Sequence, residues 1–242
     1  MPNNNIDISI VIPAYNEEKF ITICLDSLVN QKTSKKFEVI IVDNNSTDDT
    51  RKVAEKYRNK LNLKVISEKK KGRGAARSAG FKAAQGELIF STDADTKVPT
   101  DWIEVLSGFF KKDNIVAVTG TCKMIDCSWI TNMFLNTFQP KIMFLYRLFY
   151  GYYWLSGFNF AIRRSVYKES GGFNPNLNAH EDIELGLKVK NLGDVYFFKN
   201  LPVVVSGRRF KKGFLKATFA YIQTVIDYSL FRKKTVYLED VR

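Results

Sequence analysis

The chain has 242 residues, 45% hydrophobic and 26% charged, a globular composition long enough for one domain with a sizeable core. Disorder as the main state is excluded, since it needs few apolar residues at high net charge, and six Pro with fourteen Gly exclude collagen-like or low-complexity sequence. A net charge of +12, from 37 basic and 25 acidic side chains, points to an anionic partner: nucleotide, nucleic acid or membrane.

In chain order, Ile8-Ser9-Ile10-Val11-Ile12, ended by Pro13, reads as a buried strand. Asn16 is placed to cap a helix with Glu17 and Glu18 in its first turn, and Phe20, Ile21, Cys24, Leu25 and Leu28 follow at helical spacing. Residues 37–42 form a second strand that runs into Asp43-Asn44-Asn45-Ser46, and the next helix carries Val53, Ala54 and Tyr57. Residues 63–66 form a third strand, a Gly-rich basic loop leads into a helix over 75–84, and strand 87–92 ends at Asp93. This alternation predicts an α/β sheet of βα units that binds ligands at the carboxyl ends of its strands.

From residue 100 the pattern loosens to a helix on Trp102, Val105, Leu106 and Phe109 and a strand over 115–119. Residues 129–162 are densely aromatic, and their longest uncharged run, 148–162, contains Gly151 and Gly157. It is shorter than the roughly 20 residues a membrane span needs, so the segment reads as an interfacial or partner-facing amphipathic element, or as an aromatic core helix. Residues 210–242 read as a basic amphipathic helical tail. Residues 51–82 hold twelve basic against two acidic side chains and residues 207–242 nine against three, marking either anion-handling blocks or Lys-rich solvated faces. Three Cys without a CxxC pair and a single His argue against a disulfide scaffold or a zinc site. The first residues lack a basic stretch followed by an apolar run, so no signal peptide is visible and reducing cytosol is the expected compartment.

Three clusters carry chemistry. Asp93-Ala94-Asp95 sets two carboxylates just past a buried strand, where like charges need a cation or donors, and Mg²⁺ commonly takes one or two carboxylates plus substrate phosphates. Lys69-Lys70-Lys71-Gly72-Arg73-Gly74-Ala75-Ala76-Arg77 joins cations and glycines at a helix start, suiting phosphate on backbone amides, though it is neither a Walker loop nor a dinucleotide fingerprint. Glu181-Asp182 opens another helix, either to complement its dipole or to supply a general base. His180, the only histidine, reads as structural.

Taken together, SIVIPAYNEEKFI (9–21), EVIIVDNNSTDDT (38–50), GRGAARSAGFKAAQGELIFSTDADT (72–96), GFNFAIRR (157–164) and GGFNPNLNAHEDIELGLKVKNLG (171–193) resemble the family 2 inverting glycosyltransferases of the GT-A fold. The resemblance implies a GT-A domain over 1–210, with a nucleotide-binding half (1–96), an acceptor half (97–210) and a tail (211–242). It implies that Pro13, Ala14, Tyr15 and Glu17 line the nucleotide, that Asp43 with Asn45 and Ser46 meets the base, and that Arg73 and Arg77 lie near the nucleotide. Asp93 would approach the ribose, Asp95 would hold Mg²⁺ or Mn²⁺ on the diphosphate with Asp93 beside it, and Asp182 would be the catalytic base. Arg208 and Arg209, with Glu181, would face diphosphate or acceptor.

The reaction so implied moves a sugar, with inversion, from a nucleotide-sugar (a UDP-sugar before GDP-mannose) to a saccharide or lipid-linked saccharide, on the cytosolic face of a membrane whose anionic surface the basic blocks could meet. Thr96-Lys97 stands where dolichyl-phosphate mannose synthases carry Leu-Gln, which weighs against a polyprenyl phosphate as the direct acceptor, and the Gln-x-x-Arg-Trp motif of processive synthases is absent, which favours single transfer. A polyprenyl-phosphate acceptor, a sugar-1-phosphate nucleotidyltransferase and a non-enzymatic nucleic-acid binder are the alternatives, in that order. The last leaves the ordered acidic motifs unexplained, so nucleic acid is not the expected partner.

Overall fold

A computed structural model describes residues 6–208; Arg209 and the tail 211–242 lie outside the described residues. Apolar runs with little alternation build β1 (Ile8–Ala14), β2 (Phe37–Asp43) and β4 (Leu88–Ser91), because these strands are covered on both faces, while the edge strand β3 (Leu63–Ser67) alternates buried and half-buried residues. They lie parallel in the order β3-β2-β1-β4. One face carries α1 (Ile21–Val29) and the other α3 (Arg73–Ala83), with α2 (Thr50–Glu55) between β2 and β3. Gly80 lets α3 lie against β1 and β2, since a Cβ there would collide with Val11 and Val42.

The second half extends the same sheet to eight strands, in the order β3-β2-β1-β4-β7-β6-β8-β5. Here β5 is Thr96–Lys97, β6 Ile115–Ile125, β7 Phe160–Arg163 and β8 Asp194–Ser206, with α4 (Trp102–Phe109), α5 (Trp129–Tyr150), α6 (Arg164–Glu169) and α7 (Glu181–Val189) around them. β7 runs antiparallel to both β4 and β6, whereas β6 and β8 are parallel. β8 follows β6 from Val195 to Phe198 and again from Val203 to Ser206, with residues 199–202 looping out where β6 passes a single residue. Trp102, fully buried, packs edge-on against Phe90 and donates Nε1 to Asn159 Oδ1 at 2.9 Å, which locks α4 to the seam between the two halves.

Two local readings change. Asn16 does not cap α1: it sits at φ 51°, its Oδ1 accepts from the Thr47 amide, and the helix starts at Ile21 with no acidic residue in its first turn. The tertiary contact to the 44–50 loop outcompetes the local cap. The aromatic stretch also divides, because residues 129–150 form a helix with many exposed apolar side chains while Tyr152, Tyr153, Leu155 and Phe160 enter the core.

Candidate active site

The carboxyl ends of β1, β2 and β4 open on a cleft of about 480 Å³, bordered on its far side by the start of α7 and by aromatic side chains of α5 and the 154–158 segment. Beyond β4 the chain turns at once, with the Thr96 amide donating to the Asp93 carbonyl at 3.1 Å. That turn sets Asp93 and Asp95 on the cleft wall. Ser91 Oγ donates to the Gly157 carbonyl at 2.8 Å, tying the end of β4 to the segment that meets Asp182.

Arg77 joins the two sides. It is 3% exposed; Nη2 donates to Asp93 Oδ1 at 2.7 Å and Nη1 to Glu181 Oε1 at 3.2 Å. Burial alone would ease its proton off, but the charges of Asp93, Glu181 and Asp182 outweigh burial and raise its affinity for the proton, so it remains a cation. Gly157 is required here because a Cβ would run into the guanidinium.

The adjacent acids divide their work. Both line the cleft, but Glu181 is buried and spends Oε1 on Arg77, whereas Asp182 is less buried. Asp182 Oδ2 accepts from the Gly157 amide at 3.0 Å and Oδ1 from the Ile183 amide at 2.9 Å, so its carboxylate is fixed in orientation. Burial pushes both acids above the usual carboxylate range, Glu181 further through the Asp182 charge, while Arg77 opposes the shift in each. A desolvated, oriented carboxylate of raised basicity suits proton abstraction.

A second cation closes the opposite wall. Arg208, at the end of β8, makes a bidentate pair with Glu17 at 3.0 and 2.6 Å, reaches Asp95 Oδ2 at 2.9 Å and lies over the Phe20 ring. Lys71 Nζ lies 4.6 Å from the centroid of the Tyr15 ring. The cleft thus opposes Lys71, Arg73, Arg77 and Arg208 to five carboxylates, a mixture that can receive a polyanion together with a cation.

Pro13, Ala14, Tyr15, Glu17, Arg73, Arg77, Asp93, Ala94, Asp95, Glu181, Asp182 and Arg208 all line this one cleft. Asp43, Asn45 and Ser46 do not: they lie at the end of β2, where Asp43 Oδ1 accepts from the Ser46 amide. The residue from that loop that does reach the cleft is Asn44, which sequence reasoning passed over. It is buried, donates to the carbonyls of Glu68 and Lys70, and accepts from the Gly72 amide. The amides of Arg73 and Gly74 are likewise taken, by Asn178 Oδ1 and the Leu177 carbonyl. The amides of residues 72–74 are therefore already bonded, against the expectation of amides free for phosphate, and the loop before α3 turns the side chains of Lys71 and Arg73 to the cleft. Tyr146 and Trp154, 4.9 Å apart and edge to face, form an aromatic wall that the sequence signalled only as composition. Tyr146 also shares a hydroxyl contact with Tyr152.

Among the described residues no group of three or more His, Cys, Asp or Glu side chains is arranged to hold a metal. Asp93 and Asp95 are each paired with an arginine, Arg77 and Arg208; two carboxylates joined by phosphate oxygens are a ligand set that hard divalent ions take.

The family described as Glycosyl transferase family 2 matches residues 9–171. The chain belongs to that family. Within glycosyltransferase family 2, a curated relative is the poly(ribitol-phosphate) beta-N-acetylglucosaminyltransferase TarS of Staphylococcus aureus, 41% identical over 104 residues. The match covers 42% of this chain and 18% of the relative, so this family 2 chain spans a small part of that protein. The crystal structure of S. aureus TarS 1–349 in complex with UDP-GlcNAc superposes with a TM-score of 0.70 at 24% identity, covering 96% of this chain and 68% of the other. The mannosyltransferase PcManGT of Pyrobaculum calidifontis, in complex with GDP-Man and Mn²⁺, gives 0.71 at 20% identity over 91% and 61% of the two chains. The sheet of this family 2 chain is accordingly a GT-A fold.

Proposed function

We propose that the cleft transfers a sugar, with inversion, from a nucleotide-sugar to an acceptor hydroxyl, with Asp182 as the base. The carrying observation is the Arg77 bridge, which holds the acidic edge of β4 and the start of α7 on opposite sides of one cavity. In this reading the base and ribose lie along Pro13, Ala14 and Tyr15 toward Asp43, Asn45 and Ser46, the ribose reaches Asp93, and the diphosphate lies among Arg73, Arg77 and Arg208. Asp95, with Asp93, would hold Mg²⁺ or Mn²⁺, which when bound neutralises charge on the departing diphosphate as a Lewis acid.

Asp182 takes the proton of the acceptor oxygen as that oxygen attacks the anomeric carbon from the face opposite the diphosphate. The amides of Gly157 and Ile183 orient its carboxylate, and Arg77 keeps Glu181 from adding a second uncompensated charge beside it. Trp154 and Tyr146 form an aromatic wall against which a sugar ring can pack, which supports a saccharide acceptor; the adjoining apolar side chains support a lipid-linked one. The UDP-GlcNAc complex of TarS favours a UDP-sugar, and the GDP-Man complex of PcManGT keeps GDP-mannose as the second reading.

The test is binding of UDP and of GDP to the full chain, with and without Mn²⁺. UDP binding that requires metal and is lost in Asp95→Ala is expected. Preference for GDP would move the donor to GDP-mannose, and binding of neither nucleotide by folded protein would overturn the assignment.

A further inference from the structure

α5 keeps much of its apolar surface outward. The stretch of it beside β6 is polar: Gln139 Oε1 accepts from the Cys122 amide and Asn136 Oδ1 from the Met124 amide, while Asn132 engages Cys127; one turn further on, Met143 is fully buried against Tyr153 and Phe197. These amide side chains take the place of a strand neighbour, because β7 pairs with β6 only from Ala117 to Thr119 and leaves the far end of that edge unpaired. Meanwhile Trp129, Met133, Ile142, Leu145, Leu148 and Phe149 each expose more than half of their surface, Leu148 78% and Phe149 74%. A surface helix normally turns its apolar stripe to the core and its polar side to water, so the outward face calls for a covering phase.

We propose that the outward face of α5 seats the protein on an anionic membrane surface. Charge chooses this occupant. α5 itself carries Lys141 and Arg147 and no acidic residue. An apolar face rich in Trp, Phe and Leu, flanked by Lys and Arg, is the composition that lies in the interface of anionic lipid. A second copy fits worse, because a two-fold contact through this face sets Lys141 and Arg147 near their own counterparts, with no carboxylate on α5 itself to offset them. The helix is not long and apolar enough to cross the membrane, so it would lie on it. Ile142 and Tyr146 also line the cleft, so a bilayer under α5 borders the end of the cavity assigned to the acceptor. The proposal deepens the lipid-linked reading of that acceptor by naming the face that meets lipid.

The experiment sediments the full chain with vesicles of phosphatidylcholine, alone or mixed with phosphatidylglycerol, without donor or acceptor. Binding to the mixed vesicles that weakens with salt is expected. So is a blue shift of tryptophan emission on binding, removed in large part by Trp129→Phe. The double variant Leu145→Asp/Phe149→Asp should weaken vesicle binding at least about tenfold while its thermal unfolding and UDP binding stay as in the parent. Three results would overturn the proposal: no preference for anionic vesicles, undiminished binding by the folded double variant, or a dimer in solution that the same substitutions dissociate. Since no transfer is assayed, each of these leaves the glycosyltransferase reading standing, and loss of UDP binding by Asp95→Ala leaves this one standing.

Discussion

At the residue scale the site turns on Arg77 and Asp182. A guanidinium 3% exposed is tolerable only because carboxylates face it, and removing it strands Glu181 in the interior. Truncating one partner of a buried pair costs about 3–5 kcal/mol. The low end, about 3 kcal/mol, is expected of Arg77→Met in urea unfolding, because Glu181 already binds its proton more tightly than usual and can neutralise. Gly157→Ala should lower activity through the same guanidinium, which the new methyl displaces. For Asp182→Asn, transfer should fall by roughly 10²–10⁴-fold with nucleotide affinity unchanged, separable by kinetics and calorimetry. The Asp182 carboxyl is raised above its ordinary 3.8 by burial. Only its ionised form accepts a proton, so kcat/KM should climb with pH through that raised value, its acidic limb lying above the usual aspartate range.

At the element scale, the amino ends of the strands are held by a buried polar network. Ser9 Oγ accepts from the amides of Gln85 and Gly86 and donates to Glu38 Oε1, and Lys64 Nζ lies 2.9 Å from Glu38 Oε2 while donating to the Ala83 carbonyl. It joins β1, β2 and β3 to the end of α3. Burial works against the Glu38 charge, but the hydrogen bonds from Ser9 and Lys64 prevail and hold its pKa below the ordinary 4.5. A carboxyl depressed in the folded state contributes stability above its unfolded value, and that contribution is lost as pH falls through the folded one. Thermal unfolding followed from pH 7 to pH 3 should therefore show a drop that Glu38→Gln reduces. α5 is the other element with a decision in it. Its aromatic composition was readable, but which face it buries was not, because the partners of Asn136 and Gln139 are amides of β6 that only the sheet's irregular edge leaves open.

At the scale of the whole molecule, chain topology assembles the cleft. Asp93, Asp182 and Arg208 come from the ends of β4, the start of α7 and the end of β8, and the mixed sheet brings these far-apart points of the chain to one edge. A ligand spanning them should stabilise the fold as a unit: UDP with Mn²⁺ at a hundred times its Kd adds about 2.7 kcal/mol, read as a rise in the unfolding midpoint that Asp95→Ala abolishes.

The four parallel strands, the helices between them and the motifs at their carboxyl ends were legible in the sequence, because apolar runs and helical periodicity are local signals. So was the placing of Asp93-Ala94-Asp95 just past a strand and of Glu181-Asp182 at a helix start. The pairings were not. That Glu17 is spent on Arg208, that Asn44 rather than its neighbours reaches the cleft, and that Asn178 satisfies α3 depend on contacts between residues far apart in the chain. A side chain's local preference, such as that of Asn16 for a helix cap, is worth about 1 kcal/mol and yields when a loop packed on it supplies the donor instead. Sequence determined which groups are present and on which element; burial and long-range hydrogen bonds in the folded chain decided which of them face one another, and so which carboxylate stands open to the cleft.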